Sequence, residues 1–440
     1  MTSYDLIVIG AGPGGYETAA RAAAKGMRTL IIERDQPGGT CLNRGCIPTK
    51  ALCRSAEVAL MMKDAAEYGV NPGQVTLDWR QAMRRKDEVV TALREGVAAV
   101  LSGVDVELGE ALFTEPSVVE VGGRLFTAPR IIVATGSRPA SLPIPGAGHC
   151  IDSDRLLEME SLPASVAIIG GGVIGMEFAS ILNAFGVSVT VIEYCPEILP
   201  GFDTDIAKRL RMAMKRRGVA IVTGARALAV EPGCRVIYEA KGKEKTAEAE
   251  AVLMAVGRKP VIPPGLEELG VTLTEHGAIK VDPVTMHTSI PGIYAVGDVN
   301  GLCMLAHAAT AQGMAAIGEP QRPDVVPAVV FTEPECAMVG LTEDACRQLG
   351  MPYLKGETIY RANGKAMAMG RPDGVVKVLV DAASHAILGC HVCGAHAGDL
   401  VQEAALAITG EVTADTLCAT IHSHPSLSEL LKAAIQKAIG

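Results

Sequence analysis

The sequence predicts an α/β protein built from two Rossmann-like nucleotide-binding domains and a C-terminal α+β domain. Three observations predict it. Gly10-Ala-Gly12-Pro-Gly14-Gly15 and Gly170-Gly-Gly172-Val-Ile-Gly175 both match G-x-G-x-x-G, each after a short apolar run and at the start of a helical pattern. Gly26 and Gly186 end the following helix patterns, and Glu33 and Glu193 close the next strands. Every pair is offset by 160 residues (Gly10 to Gly170, Glu33 to Glu193). Beyond Arg322-Pro323 the fingerprints stop and strand-like runs such as Val375–Val380 and Ala386–Val392 precede a helical stretch near Asp399–Thr409, an α+β pattern. The expected division is 1–145 and 146–262 for the nucleotide domains, 263–325 for a return segment completing the first, and 326–440 for the C-terminal domain.

Within each fingerprint the first two glycines let the turn close and let backbone N–H groups approach a pyrophosphate at a helix N-terminus. The third lets helix and strand lie close. Gly10, Gly12, Gly14 and Gly15 do this in the first copy, and Gly170, Gly172 and Gly175 in the second. Glu33 and Glu193 stand where a carboxylate accepts from a ribose diol. Glu193 favours NAD over NADP, because a carboxylate repels a 2′-phosphate and Tyr194-Cys-Pro-Glu197 offers no arginine to receive one. A second echo, Ile131-Ile-Val-Ala-Thr135-Gly136-Ser-Arg-Pro139 against Val252-Leu-Met-Ala-Val-Gly257-Arg-Lys-Pro260, repeats the plan.

Composition bounds the rest. At about 150 residues per domain, 440 residues suit three domains. A hydrophobic fraction of 49% and a charged fraction of 20% supply a large core and leave no disordered class open. A net charge of -9 disfavours nucleic acid as a partner. No run is long enough to insert in a membrane, and the chain enters a buried strand at Asp5 without a leader pattern. The expected setting is a reducing, cytoplasmic one, where twelve cysteines are not a disulfide framework.

Two of those cysteines need their own account. In Gly38-Gly39-Thr40-Cys41-Leu-Asn-Arg-Gly-Cys46-Ile-Pro-Thr-Lys50 the pair is separated by five steps of about 100° on a regular helix, which opposes the side chains. They bridge only if the backbone is distorted, which the flanking glycines and Pro48 permit. A strained, partly exposed bridge is the labile kind used in catalysis. Helix N-terminal amides and Lys50 favour the thiolate. The alternatives are core packing and half a zinc site, but no matching second pair lies nearby. Two nucleotide sites and one dithiol suggest a relay, since a flavin exchanges electrons with both thiols and nicotinamide. The first fingerprint, adjoining the cysteines, is expected to hold FAD and the second NAD.

Other constellations are weaker. His422-Ser-His424-Pro-Ser-Leu-Ser-Glu429 offers a base near neutral pKa with a carboxylate to orient it, or a surface histidine beside a helix cap. Cys390-His-Val-Cys393 with His396 invites a metal reading. In a strand, however, residues three apart point to opposite faces, and no metal is expected. Ala295-Val-Gly297-Asp298 ends a strand, where Asp298 either caps a helix or accepts from a cofactor hydroxyl.

Over essentially the whole chain these motifs resemble the flavin-dependent pyridine nucleotide–disulfide oxidoreductases. The resemblance rests on Gly38–Lys50, both fingerprints, Ala134-Thr-Gly136, Ala295–Asp298, Met304-Leu-Ala306-His307 and His422–Glu429. It is nearest to the branch that oxidises protein-bound dihydrolipoyl groups and reduces NAD. It implies that Cys41 attacks substrate sulfur, that Cys46 contacts the flavin, and that His424, oriented by Glu429, is the acid/base. Lys50 and Glu177 pair near the flavin's reactive edge, and Asp298 binds FAD with Gly39, Thr40, Thr135, Gly136, Gly297, Ala306 and His307. Gly257 joins the second site. The resemblance further implies an α+β dimerisation domain, an obligate homodimer in which the histidine comes from the partner subunit, and lipoyl-bearing partners in 2-oxoacid dehydrogenase or glycine cleavage systems. The rival reading is another FAD-dependent disulfide reductase, acting on glutathione, a related thiol or a metal ion. Arg44, a charge inside the redox loop, and the cysteine-rich Gly389–Gly394 depart from the pattern.

Overall fold

The computed structural model describes residues 1–440. Its first sheet is parallel. Leu6–Ile9 (β1), four apolar residues all buried, runs into the helix Pro13–Ala24 (α1) and then Thr29–Glu33 (β2). Such continuous apolar runs suit strands covered on both faces. The chain continues through the short helix Gly39–Arg44 (α2) and the long helices Cys46–Asp64 (α3) and Trp79–Val100 (α4), the last capped by Asp78, whose side chain accepts from the Gln81 N–H. Asp105–Leu108 (β3) and Ile131–Val133 (β4) follow.

The second sheet repeats the plan with Ser165–Ile169 (β5), the helix Val173–Ala184 (α5), Ser188–Ile192 (β6), the helix Thr204–Arg216 (α6), Ala220–Val222 (β7) and Ala251–Met254 (β8). Its strand order is β7-β6-β5-β8. Far along the chain, Ile293–Ala295 (β9) returns to pair with β4, completing the order β9-β4-β1-β2-β3 in the first sheet, and the helix Ala306–Ala316 (α7) packs on α1. In both sheets the order reverses beside the fingerprint strand, β1 or β5. That is where an open α/β sheet leaves its ligand crevice.

The third sheet is antiparallel, with Ala328–Val330 (β10), Cys336–Gly340 (β11), Tyr353–Ile359 (β12), Val375–Asp381 (β13) and Ile387–Cys393 (β14) in the order β10-β11-β14-β13-β12. The helices Ala397–Thr409 (α8) and Glu429–Ile439 (α9) cover it. This is the predicted α/β plan with an α+β C-terminal part. No helix is long and apolar enough to cross a membrane.

One polar cluster ties the second and third sheets together. Lys377, on β13 and only 2% exposed, donates to both oxygens of Asp203, the cap of α6, and to Asp205, and it pairs with Glu343 at 2.5 Å. Burial by itself would raise the Glu343 pKa, but hydrogen bonds from Lys377 and Tyr353 bring it down to about 2. This contribution to stability is complete above the ordinary glutamate value of about 4.3 and is lost as pH falls through about 2. Removing one partner of such a cluster strands buried charge. Lys377→Met is therefore expected to cost about 3–5 kcal/mol, read as a lowered Tm by scanning calorimetry; an unchanged Tm would show that the carboxylates are relieved elsewhere.

Candidate active site

The carboxyl ends of β1 and β4, the start of α3 and the start of α5 enclose a cleft of about 580 Å³. Glycines shape its floor. Gly10 has φ +103°, and a Cβ there would stand 2.4 Å from the Ala134 carbonyl oxygen; one on Gly15 would stand 1.9 Å from that of Gly10. The second fingerprint repeats both contacts, Gly170 against Ala255 at 2.2 Å and Gly175 against Gly170 at 2.1 Å. These glycines hold strand and helix together. Gly12 and Gly172 differ, because a Cβ on either meets no protein atom within 4 Å. Their faces open onto the cleft. Gly12→Ala is accordingly expected to fold like the parent and to bind FAD about tenfold more weakly or worse, measured by flavin fluorescence titration of the apoprotein. Equal affinity would mean that the cofactor does not approach this turn.

Glu33 and Glu193 are held alike. Glu33 accepts from Ala11 N–H at 2.6 Å and Asp35 N–H at 2.8 Å, and Glu193 from Gly171 N–H and, at 2.6 Å, Cys195 N–H. Each carboxylate is fixed by its own fingerprint loop and by the residue two further on, with lone pairs left for a diol. Gly14, Gly39, Thr40, Thr135, Gly136, Gly297, Asp298 and Ala306 line the cleft, and so do Gly172, Gly257 and Glu177 from the other half. Thr135 donates to the Val261 carbonyl at 2.5 Å. Asp298 accepts from Ser137, which in turn accepts from Arg258. His307 does not line the cleft; its Nε2 meets the Pro327 carbonyl at 2.7 Å.

Cys41 and Cys46 both line the cleft as thiols. The chain brings them together by breaking the helix between them. α2 ends at Gly45 (φ -143°, ψ -111°) and α3 starts at Cys46. A Cβ at Gly45 would press to 2.9 Å from the Thr40 carbonyl oxygen, so the break needs glycine. The two thiols titrate unequally. Accepting from Cys41 lowers the Cys46 pKa to about 7, with Lys50 and the amide at the helix start adding to the effect against burial. The same bond raises that of Cys41. Lys50 lies one turn on from Cys46. Its ammonium reaches both Glu177 oxygens at 2.9 Å, and Glu177 also accepts from Phe331 N–H at 2.9 Å. The Phe331 ring lies 4.7 Å beneath the ammonium. Cys53, two turns on, is half-buried against the core, and burial raises its pKa.

His424 stands apart from this cleft. Its Nδ1 meets Glu429 at 2.9 Å, and Glu429 also accepts from Ser426 N–H at 2.9 Å, so the carboxylate fixes the ring and leaves Nε2 outward. Its side chain is 78% exposed. A dithiol cleft flanked by two nucleotide cradles, with an oriented histidine on an outer face, defines a disulfide-exchanging flavoenzyme plan. Residues 4–313 match the family model described as pyridine nucleotide-disulphide oxidoreductase, and residues 326–435 match that family's dimerisation domain.

The chain belongs to the pyridine nucleotide–disulphide oxidoreductases.

Dihydrolipoyl dehydrogenase of Thermus scotoductus is 41% identical over 99% of this chain and 97% of its own, and that of Geobacillus stearothermophilus 38% identical over 99% and 96%. Among solved structures, the HOCl-induced flavoprotein disulfide reductase RclA from Escherichia coli, as its Cu(II) complex, superposes with a TM-score of 0.87 at 29% identity over 99% of each chain. This oxidoreductase takes FAD and NAD, as its family does, and it carries the family's dimerisation domain. The donor set fits both groups: open faces at Gly12 and Gly172, and acceptors at Glu33 and Glu193. Sequence reading missed the roles of Phe331, which sits in no motif, and of Ser137 and Arg258, which lie in the repeated echo but act on Asp298 only through contacts between distant parts of the chain. It also left open whether Cys390 and Cys393 have a role, with no metal expected there. They face opposite sides of β14 and belong to different cores.

Proposed function

We propose that this oxidoreductase is a dihydrolipoyl dehydrogenase, oxidising protein-bound dihydrolipoyl groups and reducing NAD. The observation that carries the proposal is the helix break at Gly45, which sets Cys46 as a stabilised thiolate beside Lys50 in the cleft shared by both cradles. One substrate thiolate attacks the Cys41 sulfur of the oxidised pair; the Cys41–Cys46 bond breaks and Cys46 keeps the electron pair. The second substrate thiol gives its proton to Nε2 of His424 from a second copy and displaces Cys41, releasing the cyclic disulfide. The protein then holds two electrons as its dithiol. Gly10–Gly15, Gly39, Thr40, Thr135, Gly136, Gly297, Asp298 and Ala306, with His307 at the start of α7, would hold FAD, and Gly170–Gly175 and Glu193 would hold NAD. When bound, the flavin would supply the electron transfer between the dithiol and the nicotinamide. Lys50 and Glu177 hold a fixed ion pair beside that transfer, and the carboxylate at Glu193 favours NAD. The domain limits proposed with this reading are 1–145, 146–262, 263–325 and 326–440. Its setting is a cytoplasmic homodimer serving the lipoyl proteins of 2-oxoacid dehydrogenase or glycine cleavage systems.

The likeness to a flavoprotein disulfide reductase of another kind makes substrate profiling the decisive measurement. Free dihydrolipoamide with NAD is expected to turn over, and glutathione disulfide with NADPH is not. A yellow, FAD-loaded protein inert to dihydrolipoamide would sink the substrate assignment. Cys46→Ser is expected to abolish the long-wavelength absorbance that appears on reduction of the parent.

A further inference from the structure

The third sheet holds a second pair of cysteines that the proposed reaction does not use. Cys336 opens β11 and Cys393 closes β14, and the two are register partners on adjacent antiparallel strands. The next pair outward, Glu335 and Gly394, is joined by a bond from Gly394 N–H to the Glu335 carbonyl at 2.9 Å. Antiparallel ladders alternate bonded and non-bonded pairs, so Cys336 and Cys393 form a non-hydrogen-bonded pair, with Cα atoms about 4.5 Å apart and side chains on one face. That separation lies within the span of about 4.4–6.8 Å that a disulfide bridges. Both residues are buried on the face packed against α3 and the second sheet, while Cys390, three residues back, points into the opposite core.

We propose that Cys336 and Cys393 are a second redox pair, which closes to a cross-strand disulfide when a small neutral two-electron oxidant, hydrogen peroxide, reaches it. One sulfur, as thiolate, attacks a peroxide oxygen. The O–O bond breaks, and the departing hydroxide takes a proton and leaves as water. The other sulfur attacks the resulting sulfenic acid; the S–O bond breaks, the S–S bond forms, and a second water leaves. Two thiols lose two electrons and two protons, and one peroxide becomes two waters. Burial holds the Cys336 thiol well above its ordinary pKa, so this pair closes after the thiolate of Cys46 has reacted. The bridge pins β11 to β14. Phe331, which contacts Lys50 and Glu177, lies only five residues before Cys336, so the bridge braces the strand leading from the active cleft.

The test uses the FAD-loaded protein, reduced, freed of reductant and exposed to hydrogen peroxide, then alkylated in denaturant and digested without reduction for mass spectrometry. The expected result is a linked Cys336–Cys393 peptide that accumulates more slowly than the linked Cys41–Cys46 peptide. In Cys336→Val, a change of similar volume away from the cleft, Cys393 is expected to remain alkylatable, and the parent loses two more thiols than the variant. The proposal is overturned if both thiols stay alkylatable after the half-buried cysteines have been oxidised. It is equally overturned if either reaches the sulfinic state unlinked or links to another partner. The linked peptide in the parent decides the matter even if the variant does not fold.

Discussion

Replacing His424 by Gln is expected to lower dihydrolipoamide turnover by about 10²–10⁴-fold, the usual loss when a positioned general base is removed. Oxidation of NADH by an artificial dye should survive, because that half of the reaction needs no thiol deprotonation. The structure makes a sharper demand. His424 is 78% exposed and lies outside the cleft that holds Cys41 and Cys46 within the same chain. Its ring is nevertheless held in place, since Glu429 fixes Nδ1 and is itself fixed by Ser426 N–H. Those bonds also lower the Glu429 pKa, the backbone donor contributing most, so the carboxylate stays charged at neutral pH. Under the proposed function, an oriented base without a substrate in its own chain would serve the cleft of a second copy. Mixing Cys41→Ser dimers with His424→Gln dimers under subunit exchange then restores activity. Each mixed dimer has one site with intact cysteines from one protomer and an intact histidine from the other, and one site lacking both. Mixed dimers that stay as inactive as their parents would place the base in cis and refute the shared site.

How much of this was legible in the sequence follows from how local each cause is. The fingerprints were legible because their glycines answer to contacts within a few residues: Gly15 against Gly10, and Gly175 against Gly170. Spacing therefore carries the constraint. Glu33 and Glu193 were legible for the same reason, each closing the strand next to its own loop. The cysteine pair was half legible. Helical geometry says that Cys41 and Cys46 cannot meet on a regular helix, and the structure answers with the break at Gly45. Lys377 was not legible at all. It sits inside Val375–Val380, an apolar run that reads as a plain buried strand, and its partners Asp203 and Glu343 come from distant parts of the chain. Cys336 and Cys393 were opaque for a related reason, because strand register appears only once the third sheet is assembled. Position relative to the cleft was equally hidden for His424, whose motif marks a base without saying which copy it serves.

Lys50→Met is expected to fail on two counts that a single experiment separates. In the parent the ammonium meets both oxygens of Glu177, whose side chain is only 4% exposed and whose remaining donor is Phe331 N–H. Burial by itself would lower the Lys50 pKa, but Glu177 raises it, so the ammonium stays charged throughout the physiological range. Removing the cation strands a buried carboxylate, at a cost of about 3–5 kcal/mol. The second count is the thiolate. The Cys46 pKa is down at about 7 chiefly through the bond from Cys41, and Lys50 adds to it. Without Lys50 it should rise by about one unit, as loss of a nearby opposite charge generally causes. The sign is fixed: a thiol with a depressed pKa is thiolate above that value, so the rate of Cys46 alkylation by iodoacetamide in the reduced parent climbs through about pH 7 and then levels off. In the variant the climb moves to higher pH and the rate at pH 7 falls. Folded-state stability moves the same way. The thiolate's contribution is complete above the ordinary thiol value of about 8.5 and is lost as pH drops through about 7. Glu177→Gln isolates the two effects, because it removes the stranded carboxylate and keeps the cation beside Cys46. It should retain the low alkylation midpoint that Lys50→Met loses, and a midpoint that rises equally in both variants would show that the intact ion pair, not the cation, holds the thiolate.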